Sequence, residues 1–239
     1  MSYNISLVLP CYNEEKNIPF LCKEFLDLPL QNYNAELILV NNGSTDNTKS
    51  QIEHEIRNNK SSRAVIKLVN LSLNKGYGGG ISEGLKKANG EYIGWAHADL
   101  QTPLIDFYKL FLKIKDKKQI FGKGVRTNNR GFDGIVSRFH ESLASIILGK
   151  EMKEINAQPK IFNKDLMKYF TSMPYKWTTL DTYVFYICLK NNIEIETIDV
   201  VFNLRKYGQS KWKNNLINFV SHIFFNIIYL FKLRFFKNK

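Results

Sequence analysis

Ile5-Ser6-Leu7-Val8-Leu9-Pro10-Cys11-Tyr12-Asn13-Glu14 is an apolar, β-rich run that stops at a proline and a polar cluster, where helix-forming sequence takes over from about Glu14. The same transition recurs three times. Ala35 to Val40 runs into Asn41 to Asp46 and a helix from about Asp46, and Val65 to Leu71 runs into Asn74 to Gly80 and a helix from Ile81. Glu91 to Ala96 then runs into His97 to Gln101 and a helix from Pro103. Apolar strands alternating with helical runs predict an α/β fold, with a mostly parallel central sheet flanked by helices. In such sheets ligands bind beyond the carboxyl ends of the strands. All four polar clusters fall at those ends.

Beyond Ile120 the pattern predicts a strand (Ile120 to Val125) and a long helix (about Asp133 to Leu148). A short extended piece (Ile155 to Phe162), a helix (Asp181 to Lys190) and a strand (Glu194 to Phe202) follow. No repeat or low-complexity linker divides the chain, so one catalytic domain over residues 1–211 is expected, followed by a separate helix over 212–239.

The chain has 239 residues, enough for one sizeable core, and a net charge of +12, which favours an anionic partner: nucleotide, lipid phosphate, membrane surface or nucleic acid. A nucleic-acid module is disfavoured, because the aromatics lie in apolar runs and such a module leaves the strand-end clusters unexplained. Cys11, Cys22 and Cys188 lack metal or disulfide spacing, and no basic-then-apolar leader opens the sequence. The expected setting is therefore the reducing cytoplasm. Leu216 to Phe236 approaches the length of a span but carries Asn218, His222, Asn226, Lys232 and Arg234.

Asn41 to Thr48 places Gly43 at a tight turn and offers Ser44, Thr45 or Asp46 as a helix cap, so by itself it reads equally well as a plain connection. Asn74-Lys75-Gly76-Tyr77-Gly78-Gly79-Gly80 offers close backbone approach, a lysine and a helix start, which suits a phosphate or a sugar hydroxyl. Ile81 stands where a dinucleotide fingerprint needs its third glycine, which argues against NAD. In His97-Ala98-Asp99-Leu100-Gln101, His97 and Asp99 share a strand face. A carboxylate there can hold Mg2+ or Mn2+ against a diphosphate, or make an ordinary strand-end hydrogen bond.

Taken in order, these segments resemble family 2 glycosyltransferases with the GT-A fold, in the dolichol-phosphate mannose synthase-like, polyprenyl-phosphate branch. The matching stretches are Leu9 to Glu15, Asn42 to Thr48, Asn74-Lys75-Gly76, Ala98 to Gln101, Gly124-Val125-Arg126 and Arg205 to Lys211. The resemblance implies an inverting transferase that takes a sugar from a UDP- or GDP-type donor. Pro10, Tyr12, Asn13, Glu14 and Asn42 would line the nucleoside side, with Lys75, Gly76, Ala98 and Gln101 near the diphosphate. Asp99 would be the metal carboxylate, and Arg205 and Lys211 would close over the donor. Two positions depart from the family, which usually has Asp at both Asn42 and His97. The first touches the nucleoside; the second leaves the metal mainly to Asp99, with His97 as a neutral imidazole ligand or a phosphate donor.

On the acceptor side the resemblance points to Arg126, then Ser137 and Arg138, as holders of an acceptor phosphate, with Lys160 nearby. Asp181 stands where relatives with hydroxyl acceptors carry a base, and it reads equally as a helix cap. A polyprenyl phosphate is the expected acceptor. A sugar hydroxyl of a lipid-linked glycan and a degenerate, non-catalytic nucleotide-sugar binder are the alternatives. Residues 214–239 read as an amphipathic helix. Asn214, Asn218, Ser221, His222, Asn226 and Tyr229 form a polar stripe, and Lys232, Arg234, Lys237 and Lys239 follow. The expectation is peripheral attachment at the cytoplasmic face of an anionic membrane, with a second copy of the chain as the other candidate for the apolar face.

Overall fold

The computed structural model describes residues 3–128, 131–174, 177–203, 205 and 216–235. Seven strands form one sheet: β1 (Tyr3–Cys11), β2 (Ala35–Asn42), β3 (Ala64–Leu71), β4 (Gly90–Trp95), β5 (Ile120–Arg126), β6 (Lys160–Asn163) and β7 (Glu194–Val200). Their order across the sheet is β3-β2-β1-β4-β6-β5-β7. All pairs are parallel except those of β6, which runs antiparallel to β4 and β5. From β1 the chain steps outward to β2 and β3, then crosses back to lay β4 on the other side of β1. That reversal is the topological switch point at which open α/β sheets leave a crevice.

Each central strand is buried on both faces, which explains its nearly continuous apolar sequence. On β1, Ile5, Leu7 and Leu9 point into one core with α1 (Ile18–Leu26), α2 (Thr48–Asn58) and α4 (Leu104–Ile114). Val8 points into the other, with α3 (Gly76–Leu85), α5 (Gly131–Leu148) and α6 (Trp177–Lys190). Ser6 is a buried exception: its hydroxyl donates to Glu36 Oε1 at 2.6 Å, and Glu36 also accepts from Asn89 N and pairs with Lys67.

Several boundaries differ from the expected ones. α1 begins at Ile18, four residues late, because Asn13 (φ +60°) turns the chain and Pro19 supplies a preset first turn. α3 begins at Gly76, five residues early, because its glycines form a helix pressed onto the sheet. A Cβ on Gly84 would lie 2.3 Å from Val8 Cγ1, and one on Gly80 would lie 3.0 Å from Pro10 Cβ. The extended piece after Ile155 narrows to β6, whose antiparallel pairing was not foreseen.

The last helix, α7 (Leu216–Arg234), packs on α5 and α6 through Leu230 and Leu233, with Asn226 also buried. These three recur at helical spacing and form a narrow inward seam. Phe224, Phe225, Ile228 and Phe231 face outward. The polar stripe therefore turns toward the protein where it is described, and much of the apolar surface stays exposed. No helix among the described residues is long and apolar enough to cross a membrane.

Candidate active site

The loops after β1, β2 and β3 are fastened to one another. Asn13 Nδ2 donates to Thr45 Oγ1 at 3.2 Å and Asn13 Oδ1 accepts from Thr45 N at 2.8 Å, while Thr48 Oγ1 accepts from Glu14 N at 2.8 Å. Asn42 then ties β2 to the start of α3. Its Nδ2 donates to Gly76 O at 2.9 Å and its Oδ1 accepts from Lys75 N at 3.0 Å. An Asp here would lack the donor for Gly76 O, so Asn42 suits this turn. Lys75 extends along the surface to Glu83, 3.0 Å away. Pro10 and Tyr12 are half-buried beside these loops.

Asp99 lies just past the end of β4, 5% exposed. Leu100 adopts φ +59°, a left-handed conformation costly for a leucine, which folds the chain so that Gln101 N donates to Asp99 Oδ1 at 3.2 Å. The other oxygen, Oδ2, is 3.0 Å from Arg205 Nη2. Gln101 completes the triangle: its Oε1 accepts from Arg205 Nε at 3.2 Å and its Nε2 donates to Asn203 O at 2.9 Å. Thus Asp99, Gln101 and Arg205, 106 positions apart at the extremes, meet at the switch point. Lys211 lies outside the described residues.

His97 sits between Tyr77, with ring centroids 5.3 Å apart, and Phe202, 6.5 Å away edge-on. Burial pushes its imidazole below the usual range, so the ring is neutral at neutral pH. Among the described residues no three His, Cys, Asp or Glu side chains gather to hold a metal. The donor set, one buried carboxylate with a neutral imidazole two residues away, still fits Mg2+ or Mn2+. These hard cations take few protein oxygens when substrate phosphates complete the shell.

Arg126, Ser137 and Arg138 line one cavity of about 330 Å³ together with Thr127, Asn128, Gly134 and Glu154. Arg126 Nε donates to Glu154 Oε2 at 2.6 Å. Lys160 does not reach this cavity. Its side chain is fully buried, with Nζ 2.7 Å from Asp181 Oδ1 and 3.0 Å from Ala157 O. Burial lowers the Lys160 pKa, and Asp181 opposes that shift. Asp181 also accepts from Trp95 Nε1 at 3.3 Å and is the fifth residue of α6, so it is not the helix cap. Gln158, reoriented to satisfy its neighbours, accepts from Tyr77 OH and Lys160 Nζ at 3.1 Å each and links this cluster to the start of α3.

Sequence reasoning missed Glu154, Tyr77, Trp95 and Gln158. Only Glu154 carried a signal, since a buried carboxylate beside basic residues must be paired or expelled. The others follow from packing across β4, β6 and α6.

Residues 6–177 match the family described as Glycosyl transferase family 2. A dolichyl-phosphate beta-glucosyltransferase of Trichomonas vaginalis is 25% identical over 83% of this chain and 65% of its own length. An undecaprenyl-phosphate 4-deoxy-4-formamido-L-arabinose transferase of Proteus mirabilis is 26% identical over 87% and 62%. The chain thus spans just under two thirds of these relatives. Among solved structures, glucosyl-3-phosphoglycerate synthase from Mycobacterium tuberculosis with uridine-diphosphate superposes with TM-score 0.71 at 16% identity, covering 99% of this chain and 82% of that one. A mannosyltransferase from Pyrobaculum calidifontis with GDP-Man and Mn2+ gives 0.68 at 16% identity, covering 100% and 66%. The fold is GT-A, and the chain belongs to glycosyl transferase family 2.

Glu14 adds a titratable group within reach of the Asp99 and Arg205 charges. Burial, reinforced by the Asp99 charge, pushes its carboxyl up from 4.5 to about 7, while bonding to Asn17 and the Arg205 charge pull the other way. The folded state therefore holds a proton that the unfolded chain releases at lower pH. Its contribution to stability is full below 4.5 and is lost as pH rises to about 7. Glu14→Gln should melt at an increasing margin above wild type from about pH 4.5 to about pH 7, level beyond. Parallel melting curves for the two proteins across that range would refute the burial-driven shift.

Proposed function

We propose that the chain transfers a sugar from a UDP- or GDP-type nucleotide sugar to a polyprenyl phosphate at a membrane surface. The observation that carries the reading is the Asp99-Gln101-Arg205 triangle at the switch point, a carboxylate able to hold a divalent cation beside a guanidinium able to bind a diphosphate. Relatives named for dolichyl- and undecaprenyl-phosphate acceptors support the acceptor class.

Pro10, Tyr12, Asn13 and Glu14 flank the nucleoside, and the Asn42-held turn presents the start of α3 with Lys75 and Gly76 to the donor. Asp99, with His97 alongside, would hold Mg2+ or Mn2+, which when bound would supply positive charge to the departing diphosphate. As the donor binds, Arg205 gives up Asp99 and grips a phosphate oxygen, with Lys211 as a further cation. An ionised phosphate oxygen of the acceptor, held by Arg126, Ser137 and Arg138, attacks the anomeric carbon. The bond from that carbon to the diphosphate oxygen breaks, configuration inverts, and nucleoside diphosphate leaves.

This route needs no base, and the site of Asp181 favours it. A carboxylate buried against Lys160 and Trp95 is already bound by donors, and taking a proton from a sugar hydroxyl would strand the Lys160 charge. The outward aromatics of α7, with Lys232 beside them, support docking on an anionic leaflet at the cytoplasmic face.

Asp99→Asn should abolish transfer from a nucleotide sugar to a short polyprenyl phosphate in the presence of Mn2+, with an unchanged melting temperature. Wild-type turnover by this variant would sink the donor-site reading. Separately, replacing Phe224, Ile228 and Phe231 by Ser should leave the fold intact and stop co-flotation with anionic liposomes. Undiminished flotation would refute the role of α7.

A further inference from the structure

Arg126 is a buried cation whose donors are only partly used. Its side chain is 4% exposed, and burial of a guanidinium demands an anionic partner. Glu154 is that partner: its Oε2 accepts from Arg126 Nε at 2.6 Å and faces Arg126 N at 3.4 Å. Glu141 is more distant, with Oε1 3.8 Å from Nη2. Buried Nη2 consequently donates to no described residue, an unsatisfied position of the kind native proteins avoid unless a ligand completes it.

Glu154 also lines the cavity, with its side chain 26% exposed and its backbone at φ +50°, uncommon for a glutamate. A carboxylate therefore stands inside the pocket proposed to receive an anion. The surroundings are already strained by negative charge: burial, and then the Glu154 charge, push the Glu141 carboxyl up.

We propose that Glu154 is a placeholder that sets acceptor specificity, holding Arg126 until a phosphate monoester displaces it from the guanidinium. The proposal rests on the reading of this cavity as the acceptor-phosphate site. A neutral hydroxyl cannot compete with a carboxylate at 2.6 Å for a charged donor, whereas a phosphate brings up to two charges and can take Nε and Nη2 together. Glu154 keeps Arg126 paired, and the fold intact, while the cavity lacks substrate. The cost is weaker phosphate binding, because the incoming anion must part the ion pair and then sit beside a like charge.

Kinetics with a short-chain polyprenyl phosphate, and with inorganic phosphate as competitor, test this. Glu154→Gln should lower the acceptor KM several-fold and strengthen inhibition by inorganic phosphate, with kcat and the nucleotide-sugar KM unchanged. Glu154→Asp keeps the charge but shortens the reach, and should give a smaller change of the same sign should the Gln variant fail to fold. Arg126→Ala is the control for the cavity itself. If it leaves the acceptor KM unchanged, the acceptor-site reading fails whatever Glu154 does. If it raises that KM while both Glu154 variants leave theirs unchanged or raise it, the cavity stands and the placeholder role is overturned.

Discussion

Parallel pairing of β1 with both β2 and β4 is the constraint on which the site depends. The register sets Cys11 beside Asn41 and Val8 beside Trp95, so the chain leaves all three strands on the same edge of the sheet. Helices must then return along the faces, and only the loops at the carboxyl ends are free to vary in chemistry. Asn13, Asn42 and Gln101 convert that shared edge into a fixed surface, each bridging loops from different strands. The Asp46 and Glu15 carboxylates add two further bridges between the loops after β1 and β2, accepting from Glu15 N at 3.2 Å and from Asn47 N at 3.1 Å.

The half of the sheet made by β5, β6 and β7 is built differently. Lys123 and Lys160 are cross-strand neighbours on β5 and β6, and both are buried. Lys160 finds Asp181, while Lys123 bonds the Lys153 carbonyl and lies over the Phe185 ring at 4.2 Å. Burial, aggravated by Lys160, lowers the Lys123 pKa to about 7. Arg126 follows on the same strand with Glu154 and Glu141. Buried pairs of this kind rarely add stability, because desolvation offsets their attraction. They do fix geometry, since any rearrangement exposes an unpaired charge to a low-dielectric interior. On the proposed reading, that rigidity lets one guanidinium face the cavity in a defined orientation.

The parallel half of the fold was legible because a strand buried on both faces spells a continuous apolar run, and Pro10, Gly43 and Asp99 mark where each run ends. β6 was not legible as a sheet strand: four residues cannot display a period, and its pairing depends on β4 and β5. The early start of α3 was hidden by glycines, which read as loop until the sheet surface that needs them is in place. Asp99 and Gln101 could be picked out by position. Their contact with Arg205 could not, because it joins the end of β4 to the chain beyond β7 through tertiary structure alone. Lys160 illustrates the opposite limit. The resemblance sets it near the acceptor, whereas its ammonium is buried against the Asp181 carboxylate from α6 and the Ala157 carbonyl, contacts that only tertiary structure supplies.

On the proposed reading, Asp99 and its neighbours form a nucleoside-diphosphate site completed by a divalent cation. Calorimetric titration of the wild-type protein with UDP and with GDP, each with and without Mn2+, addresses it most directly. One of the two nucleotides is expected to bind tightly with Mn2+ and weakly without it, because the side-chain cations alone leave much of the diphosphate charge unanswered. Binding of equal strength with and without the metal, or no binding of either nucleotide with it, would contradict the account.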